Sequence, residues 1–220
     1  MPGAPSTGTI HNPSALTATA TVPLGTAANF AVLAAATVTN TGATMIKGDL
    51  GLSPGTAITG FPPGQVNGTV NAADSVALQA QSDLTAAYIN AAGRTATATI
   101  PVELGGTTVT AGVYDSAAGT FGITGTVTLD AQGNPDAVFI FQAASTLITA
   151  SASSVKLVNG AKANRVFWLV GSSATLGTYS SISGTVMALA SITVTTGVTV
   201  HGRMLARTAA VTLDTDTISK

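Results

Sequence analysis

The sequence predicts a mainly β fold, a right-handed parallel β-helix built from three-strand coils, with one long α-helix packed along one face. Three observations support this prediction: short apolar runs separated by Gly, Asn-Gly and Pro, a repeat of 18–19 residues, and a single segment with helical periodicity. A repeat of this length without helical patterning is typical of one coil of a solenoid. We expect a single discontinuous domain over residues 23–220, preceded by a flexible arm over residues 1–22.

The repeat is clearest in the C-terminal third, where four segments align on Leu147, Leu176, Val194 and Leu213. Threonine precedes each of these residues, and threonine also stands two positions after each of them. The two predicted columns are Thr146, Thr175, Thr193 and Thr212, and Thr149, Thr178, Thr196 and Thr215. Residues three apart on a straight strand point to opposite sides. Either the backbone turns a corner between the columns, or the second column is an internal stack of hydroxyl groups.

Each coil divides into three short strands with different patterns. The first strand is apolar on both sides, as in residues 166–169, which is typical of a strand covered on both faces. The second strand alternates, with Thr193 and Thr195 on one side and apolar residues on the other. The third strand also alternates, and the residues that it turns outward are Ser181, Ser183, Thr199, Thr217 and Ser219. We therefore expect two solvent-facing surfaces lined with hydroxyl groups.

One segment has the periodicity of a helix. The residues that recur at spacings of three and four are Val76, Ala80, Leu84, Ala87, Tyr88 and Ala91. We predict Asn71 as the N-cap of this helix, because the acidic Asp74 follows three positions later. Gly93 is predicted to end the helix. We expect a helix over about residues 72–92, about 30 Å long, that covers the first-strand face.

The composition excludes several classes of function. Charged residues make up 8% of the chain and the net charge is −1, whereas a nucleic-acid partner would require many basic residues. No apolar run approaches the roughly 18 residues of a membrane helix. The 37 threonines and 17 serines are about a quarter of the chain. We expect a hydroxyl-rich surface that binds neither nucleic acid nor membrane.

Candidate residues for chemistry are few. The chain has no cysteine, and its single glutamate, Glu103, has no carboxylate nearby in the sequence with which to form the pair of a glycosidase. Asp214 and Asp216 could share a strand face, but we interpret them as the polar end of the last coil. His201 is interpreted as a surface residue and Trp168 as a core residue. No catalytic, metal or cofactor site is therefore expected.

Five segments together resemble the microbial ice-binding proteins built as a discontinuous β-helix with an accompanying α-helix. They are FAVL at 30–33, GDLGLSPG at 48–55, ITGFPPG at 58–64, AVFIFQ at 137–142 and GRMLAR at 202–207. The resemblance covers about residues 24–218. It implies adsorption to ice, thermal hysteresis and inhibition of ice recrystallisation, with no cofactor and no catalysis. It also implies a secreted protein, and we expect a monomer in which Met1 is an initiator added to the mature chain.

Some members of this family carry the motif Thr, Ala or Gly, any residue, Thr or Asn on the binding face. Residues 41–44 and 196–199 fit it, whereas residues 149–152, 178–181 and 215–218 depart from it. The candidate ice-binding residues are Thr41, Thr44, Thr146, Thr149, Thr175, Thr178, Ser181, Thr193, Thr195, Thr196, Thr199, Thr212, Thr215 and Thr217. They come from both hydroxyl-lined surfaces, so the second-strand face, the third-strand face or both could bind ice.

Two other functions remain open at this point. A carbohydrate-binding or carbohydrate-active β-helix would carry an exposed aromatic platform or a carboxylate cluster, and neither stands out in the sequence. A passive adhesin or spacer module would need only the repeat.

Overall fold

The computed structural model describes residues 9–10 and 19–220, and in this part of the chain 23 strands pair in parallel. The predicted mainly β solenoid with one long helix is confirmed. The strands in chain order are β1 (Thr9–Ile10), β2 (Phe30–Ala34), β3 (Thr37–Thr41), β4 (Met45–Lys47), β5 (Asp49–Leu52), β6 (Ala57–Thr59), β7 (Gln65–Asn67), β8 (Val70–Ala72), β9 (Ala98–Thr99), β10 (Thr108–Thr110), β11 (Gly112–Asp115), β12 (Phe121–Ile123), β13 (Thr126–Asp130), β14 (Phe139–Ala143), β15 (Leu147–Thr149), β16 (Ser154–Val158), β17 (Val166–Val170), β18 (Ala174–Leu176), β19 (Ser181–Ala188), β20 (Ile192–Val194), β21 (Thr199–Ala206), β22 (Val211–Asp214) and β23 (Thr217–Ser219).

The strands form three faces that run along the solenoid. Face A has the order β9-β11-β14-β17-β19-β21-β2-β5-β8, and face B has the order β12-β15-β18-β20-β22-β3-β6. Face C has the order β1-β10-β13-β16-β19-β21-β23-β4-β7. The long strands β19 and β21 belong to both C and A, because each bends at a glycine with positive φ, Gly184 or Gly202.

The stacking order of the coils differs from the order of the chain. The C-terminal strands β21, β22 and β23 pair with the N-terminal strands β2, β3 and β4. The chain then reaches one end of the solenoid at β8 and must return to the other end at β9. Helix α1 (Ser75–Ala92) makes this connection along face A.

Helix α1 begins at Ser75, so the predicted start at residue 72 with Asn71 as N-cap is wrong. Asp74 is the N-cap, since its Oδ1 accepts the Ala77 N–H at 2.8 Å, while the Asn71 amide donates to Asp74 Oδ2 at 2.9 Å. The predicted end beside Gly93 is confirmed. The helix residues buried against face A are Ala77, Ala80, Leu84, Ala87 and Ala91. Small side chains therefore let the helix lie close to the sheet.

The interior of the solenoid is filled by side chains from all three faces. Trp168 is buried as predicted, and its ring stacks on Phe141 with 4.2 Å between centroids, while Phe141 stacks on Tyr114 at 5.8 Å. The Trp168 indole N–H donates to the Ser183 carbonyl at 3.1 Å. This aromatic column fixes three successive coils of face A.

Most of the predicted N-terminal arm, residues 1–8 and 11–18, lies outside the described residues. Of its remaining residues, Thr9 and Ile10 form β1 and pair with β10. Val22 is buried, and the Arg94 guanidinium donates to the carbonyls of Ala20 and Thr21.

Candidate functional site

The central outward column of face B is a ladder of threonines. The strand register places seven residues in this column, in the spatial order Gly122, Ile148, Thr175, Thr193, Thr212, Thr39 and Thr59. The last five form what we call the threonine ladder, with one threonine on each of five successive coils. Neighbouring strands lie about 4.8 Å apart, so the ladder is a regular row of identical groups.

Strict alternation along the strands holds the ladder in place. On either side of each of Thr175, Thr193 and Thr212 the strand turns a buried apolar residue inward, such as Ile192 and Val194 beside Thr193. A β-branched side chain has few χ1 rotamers. The hydroxyl and methyl of each threonine are therefore held in position by the packing of the strand below them.

The hydroxyls beside the ladder are bonded to the protein, whereas most ladder hydroxyls are not. Ser173 and Ser191 share a hydrogen bond of 2.9 Å, and Thr195 Oγ1 donates to the Leu176 carbonyl at 2.7 Å. Within the ladder, Thr39 Oγ1 donates to Thr212 Oγ1 at 3.3 Å. For the other three ladder hydroxyls the described residues supply no partner, so they are free to bind water.

Face B is almost without charge. Among its strands in the described part of the chain, Asp214 is the one charged residue. Its carboxylate accepts hydrogen bonds from Thr196 Oγ1 at 2.5 Å and Thr215 Oγ1 at 3.0 Å, and it stands at the edge of the face rather than in the ladder. The ladder is thus a neutral surface of hydroxyl and methyl groups.

The predicted first column is correct for Thr175, Thr193 and Thr212 but wrong for Thr146. Leu147 pairs with Ala174, so Ile148 occupies the ladder position of that coil with 54% of its surface exposed. The predicted pairing of this coil with the next one was therefore shifted by two residues. A shift of two keeps the same side chains on the outward side of the strand, so the sequence pattern cannot reveal it.

The second column is divided between the interior and a corner. Thr149 is 3% exposed, because its Oγ1 accepts the Gly177 N–H at 2.8 Å and donates to Ser180 Oγ inside the coil. It is therefore not a surface residue. Thr178 and Thr196 lie partly exposed at the corner between faces B and C. Thr215 is exposed there with a φ of +58°.

The remaining predicted residues are divided between face B, face C and the interior. Thr195 directly follows β20 at the edge of face B, and Thr41 is exposed at the end of β3. Face C carries an outward column that includes Ser181, Thr199 and Thr217. Thr44 is fully buried and its Oγ1 accepts the Asp216 N–H at 3.0 Å, so the expectation that it contacts a ligand is wrong.

Thr39 and Thr59 belong to the ladder although neither was predicted as a binding residue. Both stand in alternating strands, β3 and β6, but these strands come from the N-terminal part of the chain. Only the pairing of β22 with β3 and of β3 with β6 adds them to the ladder.

Asp216 is a buried carboxyl group beneath the corner between faces B and C. It is 1% exposed, its Oδ1 accepts the Val198 N–H at 2.9 Å, and its Oδ2 accepts the Asp214 N–H at 2.8 Å. Burial raises the pKa of Asp216 to about 7 against the opposing effect of these two hydrogen bonds. Both oxygens are engaged by the backbone, which supports the interpretation of Asp216 as structural.

We expect the stability of the protein to fall as pH rises from about 4 to 7. The folded state retains the Asp216 proton in this window and the unfolded chain does not, so ionisation opposes folding by up to a few kcal/mol. Asp74 and Asp83, whose pKa values are lowered by hydrogen bonds, principally from Ala77 and Thr26, titrate below this window. In thermal unfolding, Asp216→Asn should flatten the decline. An equally steep decline in the variant would contradict this assignment.

The described residues offer neither a metal site nor a membrane-spanning helix. No group of three or more His, Cys, Asp or Glu side chains is placed to hold a metal ion in this part of the chain. Among the helices in residues 9–10 and 19–220, none has the length and apolar character needed to cross a membrane.

A β-solenoid whose one helix covers face A and whose face B carries an evenly spaced, uncharged ladder of threonines belongs to the class of proteins that present a repeating surface. A family model described as "Ice-binding-like" matches residues 32–219, so the chain belongs to this family and the resemblance found in the sequence is confirmed. A curated ice-binding protein from Nostoc sp. (strain HG1) is 50% identical over 89% of this chain and 73% of its own length.

Two solved structures are similar in fold as well as in sequence. An ice-binding protein from the Antarctic ascomycete Antarctomyces psychrotrophicus has a TM-score of 0.88 and 46% identity, covering 90% of this chain and 98% of its own. An ice-binding protein from an Antarctic biological consortium has a TM-score of 0.89 and 51% identity, covering 92% of each chain.

Proposed function

We propose that this protein is an ice-binding, antifreeze protein that adsorbs to ice through face B. The observation that carries this proposal is the threonine ladder, an outward-facing and uncharged row of five threonines on five successive coils, each of them exposed or partly exposed. The rest of the face serves to keep this row flat and rigid.

The ladder can bind a periodic solid because its groups are positioned before contact. Each threonine presents a hydroxyl that can hold one water molecule and a methyl that disfavours disordered hydration beside it. A single contact of this kind is weak. A rigid array loses little conformational entropy when it binds, so many weak contacts add up to stable adsorption.

Adsorbed protein molecules would divide the ice surface into regions between anchors. Ice between them must grow as a curved front, which lowers the local freezing point. Thermal hysteresis and inhibition of recrystallisation follow from this effect. Such a process involves no bond making or breaking, so the protein would act without a catalytic residue or a cofactor.

Face B suits this role better than the other two faces. Face A is covered by helix α1, and face C carries the charged side chains Lys47 and Lys156 among its outward residues. Charged groups hold their own strongly bound hydration shell, which competes with an ordered layer of water. A single chain presents the whole ladder, so we propose that the protein acts as a secreted monomer at extracellular ice.

A fusion of the chain to a fluorescent protein tests adsorption directly. When a single ice crystal grows slowly in the solution, we expect fluorescence to be retained on particular crystal surfaces. The fluorescent protein alone should be excluded from the ice. Exclusion of the fusion as well would contradict ice binding, and the pattern of retention would show which planes are bound.

A further inference from the structure

The threonine ladder reaches one end of face B but stops short of the other. Thr59 stands on β6, the last strand of this face among the described residues. Beyond Thr175 the same outward column continues through Ile148 and Gly122, and a bridge between Gly122 and Glu103 adds one further position. The ladder can therefore be lengthened in one direction only, and Ile148 is the first residue in that direction.

The last two positions of the column close it with a charge. The Glu103 carboxylate accepts the N–H groups of Gly105 at 2.7 Å and Thr124 at 2.8 Å through Oε1, and Thr124 Oγ1 donates to its Oε2 at 3.0 Å. These hydrogen bonds hold the carboxylate beside Gly122, where an added Cβ would lie 3.2 Å from Oε2. Because a carboxylate keeps its own hydration shell, these two positions are poorly suited to ordered water.

Ile148 interrupts the ladder with a side chain of nearly the right shape. It is branched at Cβ as threonine is, the strand turns Leu147 and Thr149 inward on either side of it, and 54% of its surface is exposed. It lacks the hydroxyl, and its Cδ1 reaches one carbon beyond the level of a threonine methyl. Its coil therefore presents a raised apolar group where the adjoining coil presents a hydroxyl and a methyl.

The outward neighbours of Ile148 on face B are uncharged. Along the chain they are Thr146 and Ala150, both partly exposed. Across the coils they are Gly122 and Thr175. The charge of Glu103 is two coils away. The missing hydroxyl is thus the main feature that separates this coil from those of the ladder.

We propose that Ile148 sets the length, and so the strength, of the ice-binding site in this protein, an inference that rests on the function proposed for face B. A threonine at this position would extend the ladder by one coil, from about 19 Å to about 24 Å along the solenoid axis. The strand already holds the position outward, so the added contact would cost little ordering on binding. The isoleucine therefore keeps adsorption weaker than the scaffold allows.

The test compares Ile148→Thr with Ile148→Val. Threonine and valine have nearly the same shape and differ by a hydroxyl in place of a methyl, so the valine variant controls for the loss of Cδ1. We expect Ile148→Thr to lower the protein concentration needed to inhibit ice recrystallisation by about threefold, and Ile148→Val to stay within about twofold of the wild type. Thermal unfolding should be nearly unchanged in both variants, because the side chain points outward.

Equal activity of the two variants would overturn this proposal. Weaker activity of Ile148→Thr than of the wild type would also overturn it, and would make Ile148 an apolar anchor within the site. The fluorescent fusion of the wild-type chain distinguishes this failure from failure of the proposed function. If the fusion is retained on ice while the two variants are equally active, ice binding stands and only the role of Ile148 is refuted, whereas exclusion of the fusion refutes both.

Discussion

The double substitution of Thr193→Tyr and Thr212→Tyr is expected to raise the protein concentration needed to inhibit ice recrystallisation by about tenfold or more, a loss of about 1.4 kcal/mol. These two threonines are adjacent in the middle of the ladder. A tyrosine ring stands well above the level of a threonine methyl, so it would hold the neighbouring coils away from a flat surface. Because both side chains point outward, the interior packing should be unaffected.

A matched pair of substitutions on face C provides the control. Thr199 and Thr217 follow the two ladder residues on the same two coils, pair with each other, and also point outward. Thr199→Tyr with Thr217→Tyr should leave recrystallisation inhibition within a factor of two. Circular dichroism should show unchanged folding for both double variants. If only the face C double variant lost activity, face C and not face B would be the ice-binding face.

Gly202→Ala is expected to destabilise the protein strongly, although it adds only one methyl group. Gly202 lies where β21 bends from face C to face A with a φ of +152°, and a Cβ at this position would lie 1.8 Å from the Gly184 carbonyl oxygen. That oxygen belongs to the backbone of the neighbouring coil and cannot move independently. Backbone strain and overpacking together should cost about 4 kcal/mol, or roughly 10 °C in the midpoint of thermal unfolding.

Gly106→Ala separates steric overlap from backbone strain. Gly106 also has a positive φ, +76°, but a Cβ there would meet no atom within 4 Å. We expect a loss of only about 1 kcal/mol. Similar midpoints for the two alanine variants would show that the contact between coils at Gly202 is not as tight as the structure places it.

Local periodicity was sufficient to predict several features of this protein. Alternation of period two assigned Thr175, Thr193 and Thr212 to an outward side because strand geometry leaves no other choice. Spacings of three and four located most of helix α1. Its first turn was misplaced because Asn71 and Asp74 are both good N-caps, and the choice between them depends on where β8 ends.

The corners of the coils were harder to predict than the strands. Thr149 and Thr44 have the same composition and local pattern as surface threonines, yet both are buried. Each faces inward to satisfy a backbone N–H, that of Gly177 or Asp216. Whether a hydroxyl at a turn points inward depends on which backbone group there lacks a hydrogen-bond partner. The sequence pattern does not carry this information.

The sequence by itself determined that the chain forms a β-solenoid with a helix, which residues alternate outward within each strand, and that the surface is rich in hydroxyls and poor in charge. Tertiary structure alone decided which outward residues become neighbours. Thr212 lies beside Thr39, 173 positions away in the chain, because the C-terminal coil stacks on the N-terminal coil. A shift of two residues in register, or a different order of coils, preserves every local pattern, so only packing between coils selects the ladder.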